Sequence, residues 1–293
     1  MLKILVTGGA GFIGSSLIKK LKTLYDESIK IISLDNYSSG SPKNHTTDVL
    51  YINSNTWDIL NIIELKDFKP DYVFHFGEFS RIPQSFDEPN KVFKSNTFGT
   101  QQVIQYCINK DCKLIYSGSS AIFNNDYNAT PYTWTKAKNI ELIKNYQEWF
   151  NLKYSICYFY NVYGPGQITE GSYATVIGIF EKQYLENKPL TVVRPGTQTR
   201  CFTHIDDIVN GIIAVAVLGS GDGYHLGCKD EISVIDVAEM FDTNYVFVKE
   251  RRGERTRSSY MENNKAETEL NWKADRKLSD YIKNFKNKHL KDK

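Results

Sequence analysis

The sequence predicts a doubly wound α/β protein: a parallel sheet with helices on both faces, followed by a smaller, mixed α/β C-terminal lobe. Three observations point to it. Short β-rich runs alternate with helical stretches through the first half, the pattern of strand–helix–strand units in a parallel sheet. The strands are almost continuously apolar, as strands covered on both faces must be. A run of glycines joins the first strand directly to the first helix.

In chain order, Lys3–Thr7 reads as the first strand and Phe12–Tyr25 as the helix after it. A second strand, Lys30–Leu34, ends at Asp35, and a third covers Val49–Ile52. Ile59–Phe68 reads as helix, Tyr72–Phe76 as strand, Lys91–Asn109 as a long helix and Lys113–Ser117 as strand. Tyr132–Phe150 is a second long helix, with strand Tyr154–Tyr160 after it. Beyond Gly164-Pro165-Gly166 the alternation loosens. Helices are expected at Tyr173–Glu186, Ile205–Leu218, Val234–Phe241, Lys265–Leu270 and Leu278–Lys286. Short strands are expected near Leu190–Val193, Gly223–Leu226 and Tyr245–Val248. The expected division is a dinucleotide domain over residues 1–163 and a substrate lobe over 164–293, with the chain free to cross back.

Composition narrows the function. The chain has 293 residues, 41% hydrophobic and 24% charged, the proportions of an ordinary globular protein. Its 36 basic and 34 acidic residues leave a net charge of +2, too balanced for a nucleic-acid binder. No apolar run approaches the ~18 residues of a membrane span; Ile212–Leu218 is far too short. The glycines after Thr7 and the pair Lys19-Lys20 make the N-terminus a strand rather than a targeting segment. The five cysteines, 107, 112, 157, 201 and 228, form no CxxC and suit neither zinc nor a disulfide framework. They read as small apolar residues in a reducing, cytoplasmic compartment, and no metal site is expected.

The first strand runs into Gly8-Gly9-Ala10-Gly11-Phe12-Ile13-Gly14. Glycines spaced in this way, between a strand and a helix, permit a tight turn and close approach to a pyrophosphate, which the helix N-terminus then attracts. Gly8, Gly11, Phe12, Ile13 and Gly14 are therefore the expected phosphate cradle of a Rossmann-type domain. Asp35, ending the second strand, can accept hydrogen bonds from both adenosine ribose hydroxyls and would repel a 2′-phosphate. This favours NAD as cofactor over NADP, although Lys43 stands within reach of a phosphate. Asp58 is a candidate for the adenine amino group, or else a helix N-cap before Ile59.

Tyr132 and Lys136 form a YxxxK pair, which on a helix shares one face. A lysine ammonium beside a phenol favours the phenolate and makes such a tyrosine a candidate general base. Lys136 can also hold the nicotinamide ribose. Ser117-Gly118-Ser119-Ser120 follows a strand, at the end where open α/β sheets bind ligands.

The ordered motifs now carry a resemblance. TGGAGFIG at 7–14, Asp35-Asn36, His75-Phe76-Gly77, Asn96 with Gly99-Thr100, the Ser119 region and the YxxxK pair stand in the first half. Asn161-Val162-Tyr163-Gly164-Pro165-Gly166-Gln167, Thr199-Arg200, His204-Ile205-Asp206-Asp207 and Arg252-Gly253-Glu254 continue it. Together they resemble the extended short-chain dehydrogenase/reductase family in its NAD-dependent nucleotide-sugar epimerase/dehydratase branch, and the UDP-hexose 4-epimerases within it. The resemblance covers nearly the whole chain. It implies a Ser119, Tyr132, Lys136 catalytic triad and a cofactor site that includes Asn36, Phe76, Gly77 and Asn96. It implies a nucleoside-diphosphate sugar held by Asn161 and by a diphosphate-binding pair, Arg200 and Arg252, with Val193 beside the base. It also implies a homodimer joined through the two long helices.

The shared first step in this branch is oxidation at sugar C4. The 4,6-dehydratases add an Asp-Glu pair after the triad serine, where this chain has Ser120 and Ala121; decarboxylases also commonly carry a Glu there. The expected activity is therefore a UDP-hexose or UDP-N-acetylhexosamine 4-epimerase. A C4 dehydrogenase or reductase is the alternative, a dehydratase is disfavoured, and a catalytically silent NAD-binding sensor is the reading from another class. Glu78 and Arg81 depart from the small or apolar residues usual in relatives; both can face the substrate or pair on the cleft rim. Ser258 or Ser259 occupies the place of a steric gate at the sugar C2 substituent, which leaves room for an acetamido group.

Overall fold

The structure, a computed structural model, describes residues 1–123, 126–254 and 265–290. A seven-stranded sheet carries the fold. Across it the strands run Gly221–Leu226, Tyr154–Phe159, Lys113–Ser119, Tyr72–His75, Leu2–Thr7, Ile29–Asp35 and Leu50–Asn53, and every neighbouring pair is parallel. The chain builds outward from Leu2–Thr7 in one direction, then returns to the other side of it at Tyr72–His75. The loops after these two strands therefore part, and the crevice between them is where such sheets take ligands.

Side-chain alternation fills both faces. Ile4 and Val6 face one core with Leu17, Ile18 and Ile115. Leu5 faces the other with Ile32, Val73, Leu114 and Tyr116. The first of these cores also takes in Ile208, Ile212, Val215, Leu226 and Trp272. The chain thus crosses back: helix Ile205–Leu218 and strand Gly221–Leu226 belong to the sheet although they follow residue 163. Buried Asp207 pins this return, because its carboxylate accepts from the Arg276 backbone N–H (3.0 Å) and from the Arg276 guanidinium (2.6 Å). A third core, with Tyr163, Phe180, Leu190, Val192, Phe202 and Phe241, fills the smaller lobe.

Most expected elements appear within a residue or two of the expected bounds. The long helix expected at Lys91–Asn109 differs. It comprises a turn at Pro89–Val92, a widened π-helical stretch Phe93–Phe98 and the regular helix Gly99–Lys110. The widening holds Asn96, fully buried, where its amide clamps Phe79: its Oδ1 accepts from Phe79 N (2.7 Å) and its Nδ2 donates to Phe79 O (3.0 Å). Ile59–Phe68 also divides, into a 3-10 turn Thr56–Asn61 and a short helix Ile63–Lys66. The lobe adds short strands at Val162–Tyr163, Thr199–Cys201, Thr203–His204 and Glu231–Ser233; pieces of two or three residues carry no periodicity to read. Cys107, Cys112, Cys157 and Cys201 are buried, and Cys228 is partly so.

Two histidines make stability depend on pH. His75 lies in the sheet core between the Thr7 hydroxyl (2.7 Å) and the Thr100 hydroxyl (2.9 Å). His225 stacks on Tyr158 and shares a 2.7 Å hydrogen bond with Tyr160. Burial pushes both imidazoles from 6.5 down to about 4. The unfolded chain therefore takes up protons between these values that the folded chain refuses. Stability should fall as pH drops from about 6.5 to about 4 and the histidine contribution should level off below. Thermal melts across this window test it: His225→Gln should flatten the slope, and an unchanged slope would contradict the assignment.

Candidate active site

One large cleft opens at the C-terminal ends of the strands, between the sheet and the smaller lobe. Gly8, Gly11, Phe12, Ile13 and Gly14 line one end of it, with Asp35, Asn36, Phe76 and Gly77. Ser119, Tyr132 and Lys136 line it as well, as do Glu78, Arg81, Asn161, Val193 and Arg200.

The glycine turn is shaped by close approach. Gly8 has φ +74°, and a Cβ there would meet Gly77 N at 2.8 Å. A Cβ on Gly14 would lie 2.2 Å from Gly8 O. No side chain fits at either place, so the backbone and the start of helix Phe12–Tyr25 are left open to a pyrophosphate. Asp35 stands beside this turn: its Oδ2 accepts from Ala10 N (2.9 Å) and its Oδ1 from Tyr37 N (2.8 Å). Burial pushes its carboxyl up, and the backbone N–H groups of Tyr37 and Ala10 pull it down. The glycine cradle and the lined carboxylate fit an adenine dinucleotide. Asp35→Ala should weaken NAD binding roughly 10- to 100-fold, the worth of charge-assisted hydrogen bonds, and narrow its preference over NADP. Calorimetric titration with both cofactors checks this; tighter NADP binding by the unaltered protein would contradict it.

Two residues expected at the cofactor are placed elsewhere. Asn96 is spent on the Phe79 backbone and on Thr135 (3.2 Å), beneath the cleft rather than in it. Asp58 does not line the cleft. It sits inside the turn Thr56–Asn61, whose N-cap is Asn55, and accepts from Asn55 Nδ2 at 3.4 Å. Ser54 and Thr56 line the cleft at this corner instead.

Helix Pro131–Phe150 delivers Tyr132 and Lys136 on its buried face. Its start is fixed by Thr130, whose hydroxyl accepts from Thr133 N (3.0 Å), and by Pro131 in the first turn. Ser119, the last residue of Lys113–Ser119, lines the same cleft, its hydroxyl accepting from Ala121 N at 3.3 Å. Lys136 Nζ donates to Ser117 O at 2.6 Å and forms an ion pair with Glu78.

Glu78 departs most from expectation. Its side chain is 2% exposed and that of Lys136 is 5%, so this is an interior pair in the cleft wall rather than an ion pair on its rim. The carboxylate is fully engaged. Oε1 accepts from Asn139 Nδ2 (2.9 Å), Tyr116 Oη (3.0 Å) and Thr100 Oγ1 (3.1 Å), while Oε2 takes Lys136. Burial and Glu78 together push the Tyr116 phenol well up. Asn139, missed from the sequence, lies one helical turn beyond Lys136, an i, i+3 relation that could have been read.

At the lobe end, Arg200 lies on strand Thr199–Cys201 and donates to Thr199 O (2.7 Å). It also pairs with Glu254. Burial pushes its guanidinium down, and Glu254 opposes that. Arg252, expected as its partner, is turned away. Its guanidinium lies 3.9 Å from the centre of the Phe86 ring, and its neighbour Arg251 lines the cleft. The doublet Arg251-Arg252 held the signal, but sequence does not tell which of two adjacent residues faces in. Asn161 donates to Cys201 O at 3.3 Å, and Val193 lies nearly buried at the lobe wall. Ser258 and Ser259 lie outside the described residues. Among the described residues no cluster of His, Cys, Asp or Glu could hold a metal ion, and no helix is long and apolar enough to cross a membrane.

Known proteins are similar to this chain in sequence and fold. The chain is 33% identical to a dTDP-D-glucose 4,6-dehydratase of Dictyostelium discoideum, over 81% of its own length but 61% of that protein's, less than two thirds. It is 28% identical to a putative UDP-glucose 4-epimerase of Methanocaldococcus jannaschii, over 97% of both chains. The UDP-glucose 4-epimerase of Thermotoga maritima, solved with UDP-glucose, superposes with a TM-score of 0.89 at 25% identity, over 99% of this chain and 100% of that one. A UDP-glucuronic acid 4-epimerase of Bacillus cereus, solved with UDP-glucuronic acid and NAD, gives 0.85 at 27% identity, over 99% and 100%. The model of the NAD dependent epimerase/dehydratase family matches residues 4–227, which hold the glycine turn, the Ser119, Tyr132 and Lys136 set and Arg200. The chain belongs to that family.

Proposed function

We propose that this protein is an NAD-dependent nucleotide-sugar 4-epimerase acting on a UDP-hexose or UDP-N-acetylhexosamine. One observation carries the reading: Tyr132, Ser119 and Lys136 line the same cleft as the glycine cradle, while the residues after Ser119 are Ser120 and Ala121. Bound NAD supplies a hydride acceptor, and then a donor, at sugar C4. Tyr132 takes the C4 hydroxyl proton and returns it, and Ser119 orients that hydroxyl. Lys136 holds its ammonium at the Ser117 carbonyl, and it would hold the nicotinamide ribose of bound NAD. Arg200 and Arg251 meet the diphosphate, with Arg200 exchanging Glu254 for phosphate oxygens.

Loss of water from C6 needs an acid–base pair on the sugar, which Ser120 and Ala121 do not supply. This weighs against the dehydratase named for the Dictyostelium relative. The aromatic side chains exposed on the two long helices, Phe93 and Phe98 with Trp149 and Phe150, support a homodimer through that face. Cys107, Cys112 and Cys157, buried and outside any disulfide, suit a reducing cytoplasm. Incubation with UDP-, dTDP- and GDP-hexoses, with products resolved by NMR, tests the reading. A product inverted at C4 is expected. A 4-keto product lighter by one water, or no turnover of any of them, would overturn it.

A further inference from the structure

Arg81 is a cation of this cleft that, among the described residues, no acid answers. Its place is rigid. Asn96 clamps the backbone at Phe79, two residues before it, and Ser85 closes the turn behind it by donating to Ile82 O at 2.6 Å. The guanidinium donates to the Tyr173 carbonyl, and Gln84 donates to the Ser172 carbonyl (3.0 Å) on the same loop. Both contacts go to neutral acceptors. Arg81 Nε is closed off from water and has no hydrogen-bond partner. Among the described residues no carboxylate pairs with it, whereas Arg200 has Glu254, Arg276 has Asp207, and Lys136 has Glu78.

Its surroundings add positive charge. A Cβ on Gly253 would lie 2.7 Å from Ile82 Cγ2, so the turn bearing Arg251 packs directly on this segment. Burial and Arg251 push the Arg81 guanidinium down, and the Tyr132 and Tyr173 phenols oppose this. Arg81 thus stands within electrostatic range of both the candidate base and a second arginine. A half-buried, unpaired guanidinium costs folding energy, and an anionic ligand recovers it. The diphosphate is met by Arg200 and Arg251 at the lobe end. The part of a nucleotide sugar that comes to Tyr132 is the sugar ring, so an anion for Arg81 has to be carried on that ring.

We propose that Arg81 selects a nucleotide sugar whose ring bears a carboxylate, binding that carboxylate beside the carbon that Tyr132 serves. This rests on the nucleotide-sugar 4-epimerase reading of the cleft and narrows the hexose of that reading to its carboxylate-bearing form, a hexuronate. Arg81 has no part in the proton transfer. It sets which sugar is held, and it fixes an acid group that would otherwise be free to leave as carbon dioxide once the neighbouring carbon is a ketone.

The test is calorimetric binding of UDP, UDP-glucose and UDP-glucuronic acid to the NAD-loaded protein, for the unaltered chain, Arg81→Gln and Arg81→Lys. The unaltered protein should bind the acidic sugar roughly 10- to 100-fold more tightly than UDP-glucose, the worth of a charge-assisted hydrogen bond. Arg81→Gln should bring the ratio to about one, and Arg81→Lys should keep part of it. If the unaltered protein binds UDP and both sugars without preferring the acid, the inference fails and the site reading stands. If Arg81→Gln weakens UDP in step with both sugars, Arg81 is a diphosphate ligand and the inference also fails. If the unaltered protein binds none of the three, the UDP-sugar reading itself is overturned. The comparison within the unaltered protein needs no variant to fold.

Discussion

Tyr132→Phe should lower turnover by about 10²–10⁴-fold, the usual cost of removing a general base, and leave NAD binding close to that of the unaltered protein. The expectation follows from placement. Tyr132 lines the cleft that Ser119 also lines, with Lys136 one turn along its own helix. Tyr116, a second phenol in this region, is fully buried and donates to Glu78, so it cannot take over. Tyr173 lines the cleft but sits on the loop that receives Arg81. Steady-state kinetics with a productive nucleotide sugar, alongside NAD titration, separates the two effects. Near-normal kcat would place the base elsewhere, and loss of NAD binding would make Tyr132 a cofactor ligand rather than a base.

Glu78→Ala should destabilise the fold by about 3–5 kcal/mol, because it strands the Lys136 ammonium in the interior. For a chain of this size that corresponds to a fall in Tm on the order of 10 °C. The carboxylate also organises Thr100, Tyr116 and Asn139, so the loss spreads through strand Lys113–Ser119 and helices Gly99–Lys110 and Pro131–Phe150. Removing both charges should be gentler than removing one: Glu78→Ala with Lys136→Met should melt above Glu78→Ala alone. Glu78→Gln keeps the shape and should fall between. A Glu78→Ala protein with an unchanged melt would show that the pair does not hold the interior together. The same pair bears on catalysis, since Lys136 reaches the cleft already neutralised by a carboxylate and anchored to the Ser117 carbonyl.

What sequence could and could not reveal divides along physical lines. The glycine turn, Asp35 and the Tyr132–Lys136 pair were legible because local geometry determines them. A glycine at φ +74° or in contact with another backbone tolerates no side chain, and residues four apart on a helix share a face. Helix Ile205–Leu218 was legible from the apolar run Ile212–Leu218 that ends it, and strand Tyr245–Val248 as an unbroken apolar run. Glu78 was not legible as an interior acid, because its burial depends on partners from three separate elements that only the fold assembles. Asn96 is a similar case: the motif that contains it is visible, but the π-helical widening that turns its amide onto Phe79 is a tertiary adjustment. Arg251 and Arg252 differ only in which faces the cleft, and that is set by the turn at Gly253 and the Phe86 ring. The return of strand Gly221–Leu226 to the main sheet is likewise a topological fact with no local signature.

The central claim is that one cleft removes a hydride from sugar C4, keeps it, and returns it to the other face. The most direct measurement uses a nucleotide sugar deuterated at C4, incubated with the NAD-loaded protein in ordinary water and followed by mass spectrometry and NMR. The account predicts a product of unchanged mass, inverted at C4, with the deuterium still on C4, and the same outcome from either epimer. Loss of the deuterium to solvent, or a product lacking the elements of water, would contradict it.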